Sequence, residues 1–291
     1  MNISNWIDST RPKTLAASVV PVAVGAALAY SHSAFNLIIT GVTLACAILI
    51  QIGTNLANDY FDFKHGADTE DRIGFTRATA TGKIVPTSMI NAAILVFAVA
   101  FVLGMYLVWH GGLIILAIGV LSILCGIAYT GGPFPLAYNG LGDVFVFLFF
   151  GCIAVMGTYY VNALTWSAEA FWASLAVGAL CTNILVVNNL RDSETDAVAN
   201  KRTLGVMFGD NVLRWEYTLM LVIAFSIPPH FYFREDYNML IFLPFLSLPS
   251  AAYLLIDIWK QKDKTRLNKT LEYTAQFMIL FGLLFVFGIT L

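Results

Sequence analysis

Long apolar runs, separated by short polar segments, recur along this chain from one end to the other. A transmembrane helix needs roughly 20 apolar residues, and these runs are too long and too uniformly apolar for the strands of a membrane barrel. The pattern therefore predicts an all-α, polytopic membrane bundle of about nine transmembrane helices, forming one domain over residues 1–291. The predicted spans are residues 14–31, 36–57, 89–109, 112–129, 143–162, 170–189, 215–233, 239–259 and 272–291.

Composition supports a membrane protein and excludes ordinary soluble domains. Hydrophobic residues make up 58% of the chain and charged residues only 12%, whereas soluble domains carry roughly 25% charged residues. The four cysteines lie inside apolar runs and none is in a CxxC pair, so we expect neither a disulfide framework nor a zinc site. The first apolar run lacks a clear cleavage site, which indicates a retained helix. We expect membrane lipid but no nucleic acid as a partner, and the oligomeric state stays open.

Lysine and arginine positions predict the orientation. With nine spans, only Arg234 of the 16 such residues falls on the second side of the membrane. The positive-inside rule then places the N-terminus in the cytoplasm and the C-terminus outside. Two long charged segments, residues 58–88 and 190–214, lie on the cytoplasmic side. We therefore expect an integral protein of the cell membrane whose functional site faces the cytoplasm.

Two acidic clusters stand at the cytoplasmic ends of the second and sixth predicted spans. The first contains Asn58 and Asp62, and the second contains Asn188, Asp192 and Asp196. Residues spaced by four share one face of a helix, a turn apart. Because the two spans run in the same direction, both columns of polar side chains end at the same depth.

The side chains of these clusters indicate metal and phosphate chemistry. Asp and Asn oxygens without histidine or cysteine suit a hard cation such as Mg²⁺ or Mn²⁺, and Mg²⁺ usually takes a few carboxylates plus phosphate oxygens. Flanking cations would neutralise the remaining phosphate charge; they are Arg72, Arg77, Lys83, Lys201 and Arg202. The alternative interpretation of either cluster alone is a solvated run of charges with ion pairs.

The two clusters resemble the paired aspartate-rich motifs of the UbiA superfamily of membrane prenyltransferases. The similar stretches are Asn58-Asp59-Tyr60-Phe61-Asp62 and Asp192-Ser193-Glu194-Thr195-Asp196. Four further stretches, residues 11–15, 68–74, 129–143 and 201–204, are similar to the branch that acts in menaquinone biosynthesis. Gly66 stands where a third acid of the first motif is often found, and Asp68 is the nearest substitute.

The resemblance implies a reaction and a set of site residues. A polyprenyl group would pass from its diphosphate to 1,4-dihydroxy-2-naphthoate, with loss of CO₂ and diphosphate, giving a demethylmenaquinone. Mg²⁺ would be held by Asn58, Asp62, Asp68, Asp192 and Asp196. The expected catalytic residues are Asp62, Asp192, Asp196, Tyr129 and Asp143. The expected substrate-binding residues are Arg11, Arg72, Arg77, Lys201, Arg202 and Asn188.

Three of these residues are chosen by their place at the cytoplasmic ends of spans. Arg11 would pair with the acceptor carboxylate, Tyr129 would contact the diphosphate or the allylic cation, and Asp143 would orient an acceptor hydroxyl. The corresponding structural interpretations are a topology anchor, an interfacial tyrosine and an acid at a helix N-terminus.

Two other functions stay open from the sequence alone. One is a different branch of the same superfamily, with 4-hydroxybenzoate or homogentisate as the acceptor. The other is an ion-coupled transporter, which would place its acids near the bilayer midplane rather than at one face. The sequence does not specify the length of the prenyl chain.

Overall fold

The computed structural model describes residues 3–68, 73–74 and 77–291, apart from the side chain of Lys13. Its long elements are all helices, which confirms the predicted all-α class. In chain order the α-helices are α1 Ile3–Thr10, α2 Ala16–Ser31, α3 Leu37–Lys64, α4 Pro86–Gly111, α5 Leu113–Ala128, α6 Gly142–Val146, α7 Ala154–Ala163, α8 Ala168–Val198, α9 Leu204–Phe208, α10 Asp210–Arg234, α11 Leu248–Lys260 and α12 Leu267–Thr290.

Several helical segments depart from α-helical geometry. A π-helical stretch, Phe147–Ile153, joins α6 to α7 into one continuous element. A 3₁₀ segment, Met239–Ser247, precedes α11 and contains Pro244, which lacks the backbone donor that an α-helix interior requires. Shorter 3₁₀ turns lie at Pro12–Thr14, Leu136–Tyr138 and Lys264–Arg266.

The helices are consistent with a multi-pass membrane protein. Among the described residues, six helical segments are long and apolar enough to cross a bilayer; they are Leu37–Lys64, Pro86–Gly111, Gly142–Ala163, Ala168–Val198, Met239–Lys260 and Lys264–Thr290. The apolar helices α2 and α5 have 16 residues each, and α10 has 25. Each predicted span coincides with one of these segments, while the count of nine and the side of the N-terminus remain predictions.

Helix α8 forms the centre of the bundle. The structure buries 78% of its apolar window, compared with 17% for α3 and 22% for α4. The main hydrophobic core surrounds α8 with residues of α2, α7, α10 and α12, including the fully buried Phe231, Phe281 and Phe285. Helices α3 and α4 are therefore enclosed far less by the rest of the protein than α8 is.

Glycines let the π-helical stretch approach α8 closely. A Cβ atom on Gly151 would lie 2.7 Å from the Cα atom of Gly178, and one on Gly178 would lie 2.9 Å from the backbone oxygen of Phe147. Real Cβ atoms do not make contacts this short, so only glycine fits at either position. Such small residues are typical where two membrane helices pack backbone to backbone.

Both acidic clusters lie on the last turns of long helices. Helix α3 extends beyond the predicted span 36–57 to Lys64, and α8 extends beyond the predicted span 170–189 to Val198. The helices thus carry their polar columns past the apolar window as regular helix. This extension brings the two clusters to one end of the bundle.

Candidate active site

The first acidic cluster is buried at the end of α3. Asn58, Asp59 and Asp62 are 6%, 2% and 2% exposed. The Asp62 carboxylate accepts a hydrogen bond of 3.0 Å from Arg77 Nη2 and one of 2.9 Å from the hydroxyl of Tyr138. A buried carboxylate requires such partners, because burying an unpaired charge is costly.

The neighbouring polar residues of this cluster have different partners. Asp59 accepts hydrogen bonds from the backbone amides of Ala78 and Thr79, at 3.2 and 3.1 Å. Asn58 Oδ1 accepts a hydrogen bond of 2.7 Å from the hydroxyl of Thr130. Asp59 therefore holds the backbone that follows Arg77, whereas Asp62 contacts the side chains of the site.

Arg77 joins two acids of the first motif. Its guanidinium contacts Asp62 and also lies 3.6 Å, through Nε, from Asp68 Oδ1. Asp68 thus lies beside the cluster, and its role as a metal ligand stays a prediction. Arg72, the other predicted binder in this segment, lies outside the described residues.

The second acidic cluster is organised by Arg191. This side chain is 1% exposed, and its Nε and Nη2 atoms each donate a 2.7 Å hydrogen bond to the Asp192 carboxylate. Nη2 also donates to Asn188 Oδ1 at 2.7 Å. A bidentate pair of this kind is strong and sets the orientation of both groups.

The two clusters meet at Tyr138. Its hydroxyl bonds Asp62, and Lys201 Nζ lies 5.7 Å from the centroid of its ring. Lys201 Nζ is also 3.5 Å from Asp196 Oδ1. Next to them the Arg202 amide donates to the carbonyl oxygen of Tyr138 at 3.2 Å, while the Arg202 side chain is exposed.

A cavity of about 390 Å³ opens beside these residues, within the size range of small-molecule sites. Its polar end is lined by Arg11, Asn58, Asp62, Arg77, Tyr129, Asp143, Asn188, Arg191 and Lys201. Its apolar part is lined mainly by residues of α3, α4, α5 and the element Gly142–Ala163, among them Cys46, Phe101, Gly104, Leu107, Ile115, Gly119 and Val161. Of the predicted site residues that the structure describes, four do not belong to the lining: Asp68, Asp192, Asp196 and Arg202.

Arg11, Tyr129 and Asp143 all reach the polar end of the cavity. Arg11 has a left-handed backbone, with φ 54°, immediately before the 3₁₀ turn that leads into α2. Asp143, which is 4% exposed, accepts from Asn189 Nδ2 at 3.4 Å through each oxygen. The Tyr129 hydroxyl lies 3.1 Å from the place a Cβ atom on Gly142 would take, directly beside Asp143.

The donor set at the polar end fits a Mg²⁺ ion that is completed by phosphate and water. Asn58 and Asp62 bring oxygen atoms to the cavity, and Mg²⁺ commonly binds proteins through only one or two carboxylates. Within the described residues no group of three or more His, Cys, Asp or Glu side chains gathers as a metal cage. The structure thus brings Asp62 to the cavity, and it pairs Asp192 with Arg191 and Asp196 with Lys201.

Several residues at this site had no role in the sequence prediction. Tyr138 and Thr130 contact the first cluster, and Asn268 accepts a hydrogen bond from Arg191. Tyr138 and Thr130 belong to residues 129–143, a stretch that carried the resemblance, and that likeness was an available signal. Asn268 lies 77 residues beyond Arg191, and no local pattern marks it.

Comparisons with known proteins identify the family and the fold of this chain. A sequence model of the UbiA prenyltransferase family matches residues 18–286. The chain is 34% identical to "1,4-dihydroxy-2-naphthoate octaprenyltransferase" of Escherichia coli (strain K12), over 98% of this chain and 95% of that protein. It shares its fold with a UbiA homologue from Aeropyrum pernix K1, at TM-score 0.74 and 14% identity, over 93% and 96% of the two chains.

A second solved structure carries ligands. It is a UbiA homologue from Archaeoglobus fulgidus bound to DMAPP and Mg²⁺, with TM-score 0.65 and 15% identity, covering 97% of this chain and 99% of that one. At this identity the likeness establishes the shared fold.

Proposed function

Because the chain belongs to the UbiA prenyltransferase family, we propose that it transfers a polyprenyl group from a polyprenyl diphosphate to 1,4-dihydroxy-2-naphthoate. The observation that carries the reaction is the cavity, which has cations and acids at one end and apolar side chains along the rest. A polyprenyl diphosphate matches this arrangement, because its diphosphate suits the charged end and its hydrocarbon tail suits the apolar part. The choice of acceptor is supported by the 34% identical E. coli protein, whose name states the naphthoate.

The polar end provides a cradle for the diphosphate. Arg11, Arg77, Arg191 and Lys201 line it together with Asn58 and Asp62. Mg²⁺, when bound, would supply positive charge that lowers the energy of the departing diphosphate. The side chains of Arg77 and Lys201 would take the remaining phosphate charge, since guanidinium and ammonium groups bind phosphate oxygens strongly. Both are already held by neighbouring acids and need little reorganisation.

The proposed reaction begins when the C–O bond to the diphosphate breaks and the leaving group keeps the electron pair. The resulting allylic cation is attacked by the ring carbon that bears the carboxylate. That carbon then loses CO₂, and the electrons of the broken C–C bond restore the aromatic ring. The product is the quinol form of a demethylmenaquinone.

Three residues are placed to hold the acceptor. Arg11 is the cation at the mouth of α2 and suits the naphthoate carboxylate, while Asp143 and Tyr129 suit its hydroxyl groups. Asn189 orients Asp143 from α8. Electron density on the ring rises when a hydroxyl is hydrogen-bonded to a carboxylate, so Asp143 would assist attack on the cation.

The prenyl tail would lie in the apolar part of the cavity. Phe101 of α4 lines the cavity and is 42% exposed. A tail entering from the bilayer would remain in a hydrocarbon environment throughout. We place the protein in the cell membrane, with the polar end of the cavity facing the cytoplasm.

The test is a product assay with purified protein, Mg²⁺, one polyprenyl diphosphate and three separate acceptors. We expect CO₂ release and a prenylated naphthoquinol with 1,4-dihydroxy-2-naphthoate. Turnover only with 4-hydroxybenzoate or homogentisate would reassign the acceptor, and turnover with none of them would overturn the proposal.

A further inference from the structure

The Arg191 guanidinium is the centre of a junction between three separate parts of the chain. Besides Asp192 and Asn188 on its own helix, it donates through Nη1 to Asn268 Oδ1 at 3.0 Å. Asn268 stands in the first turn of α12. Its amide nitrogen donates in turn to the carbonyl oxygen of Ile73 at 3.1 Å, and to that of Thr265 at 3.3 Å.

The chemistry of this junction allows only one orientation of the Asn268 amide. A guanidinium can only donate, so it requires the amide oxygen, and a backbone carbonyl can only accept, so it requires the NH₂ group. An aspartate at this position would keep the bond to Arg191 but lose both donors. An alanine would lose every bond, and a leucine would fill the space without bonding.

Gly74 provides an independent observation on the same junction. A Cβ atom on Gly74 would lie 2.5 Å from Arg191 Nη2 and 2.9 Å from its Cζ. The backbone next to Ile73 therefore packs directly against the guanidinium. One side of this contact is Arg191 of α8, and the other is the segment between α3 and α4.

We propose that Asn268 is a positioning residue for the diphosphate end of the cavity, which it serves by locking Arg191 and the backbone at Ile73 together. Arg191 lines the cavity and holds Asp192 and Asn188. The segment at Ile73 continues to Arg77, which holds Asp62. Asn268 thus ties the second acidic cluster to the loop of the first from α12. The inference rests on the proposed diphosphate substrate for its kinetic part only.

The experiment compares Asn268→Ala, Asn268→Asp and Gly74→Ala with the parent protein, purified in detergent without substrates. The first readout is hydrogen exchange of the backbone in residues 73–84. We expect faster exchange there in all three variants, with unchanged exchange at the opposite end of the bundle. Asn211→Ala is the matched control, since it also removes an asparagine–arginine hydrogen bond, at 2.9 Å to Arg214, on an exposed part of the same face.

The second readout is kinetic. In Asn268→Ala the KM for the polyprenyl diphosphate should rise roughly tenfold, the effect of losing a hydrogen bond to a charged group, while the KM for the acceptor stays within about twofold. Parent-like exchange at residues 73–84 in Asn268→Ala and Gly74→Ala would overturn the junction, as would a loss of protection spread evenly over the bundle. A parent protein that fails to prenylate the naphthoate would refute the proposed function and leave the exchange comparison to decide the junction.

Discussion

The hydroxyl of Tyr138 donates a 2.9 Å hydrogen bond to Asp62 Oδ1 across 76 residues of sequence. Burial of the phenol, and then the charge of Asp62, raise the pKa of Tyr138 above its usual value. A raised tyrosine pKa favours the neutral form, so the hydroxyl remains a donor throughout the physiological pH range. Tyr138 thereby holds one oxygen of Asp62 in place while the other is bound by Arg77.

Replacing Tyr138 by phenylalanine should remove this bond and little else. We expect kcat/KM to fall roughly tenfold, because Asp62 loses one of its two orienting partners. The factor by which kcat/KM falls should be the same at every pH between about 6 and 9, since Tyr138 does not ionise there. Tyr160→Phe is the control, as its hydroxyl makes only a 3.5 Å contact with the Gly111 carbonyl at the opposite end of α4. A pH-dependent loss would contradict this role.

Removing one acid from either cluster should lower turnover strongly. Asp62→Ala and Asp192→Ala should each lower turnover roughly 100-fold or more, by analogy with removing one preorganised electrostatic contact. EDTA should abolish activity of the parent protein, and added Mg²⁺ should restore it. If both variants insert correctly and retain near-parent turnover, the metal–diphosphate interpretation fails.

Asp59 is expected to stabilise the fold, whereas Asp62 is expected to act in the site. Its carboxylate binds two backbone amides and no side chain of the site. Asp59→Ala should therefore lower the free energy of unfolding by roughly 3 kcal/mol through the loss of bonds to a buried charge. Denaturation in detergent measures this change. A variant as stable as the parent would show that these amides find other partners.

Replacing Arg11 should affect the binding of the two substrates unequally. Its position at the mouth of α2, on the cavity wall, suits the acceptor carboxylate. Arg11→Ala should raise the KM for the naphthoate more than the KM for the diphosphate. Steady-state kinetics with each substrate varied in turn provides the measurement. Equal naphthoate KM values in variant and parent would show that Arg11 does not bind the acceptor carboxylate.

The apolar part of the cavity offers a direct test of the tail site. Added Cβ atoms on Gly104 and Gly119, which both line the cavity, would meet no atom within 4 Å. Gly104→Phe and Gly119→Phe should therefore fill the tail site without backbone strain. The KM for a long polyprenyl diphosphate should rise at least tenfold more than the KM for dimethylallyl diphosphate. Gly41→Phe is the matched control, because Gly41 has equal space but does not line the cavity.

The orientation in the membrane is open to reporter fusions. Nine spans place only Arg234 of the 16 lysine and arginine residues outside, which predicts a cytoplasmic N-terminus and an external C-terminus. Fusions of alkaline phosphatase and a fluorescent protein to each loop would locate them. A cytoplasmic C-terminus would eliminate the nine-span topology.

The sequence predicted those features that depend on local spacing. Apolar runs indicated the helices, and the four-residue spacing placed Asn58 and Asp62 on one face of α3, where both reach the cavity. It also indicated Asp68 as an acid near that motif, and Asp68 lies 3.6 Å from Arg77.

Local spacing could not predict hydrogen-bond partners that are distant in sequence. Nothing local distinguishes Asp59, which binds backbone, from Asp62, which binds Arg77 and Tyr138. Asp192 likewise looks like a metal ligand by spacing, yet both of its oxygens accept hydrogen bonds from Arg191. A carboxylate's partner is set by whichever donors the tertiary fold brings within about 3 Å, and Asn268 reaches Arg191 from another helix.

The contact of Gly151 with Gly178 has a consequence for how substrates enter. Backbones packed without side chains between them cannot separate gradually, so Asp143 and the second acidic cluster belong to one rigid unit. Helices α3 and α4 bury far less of their apolar windows, and their displacement disrupts little core. We therefore expect the cavity to widen and narrow by movement of α3 and α4, the half that carries the first cluster. Substrate entry is accordingly expected from the side of α3 and α4.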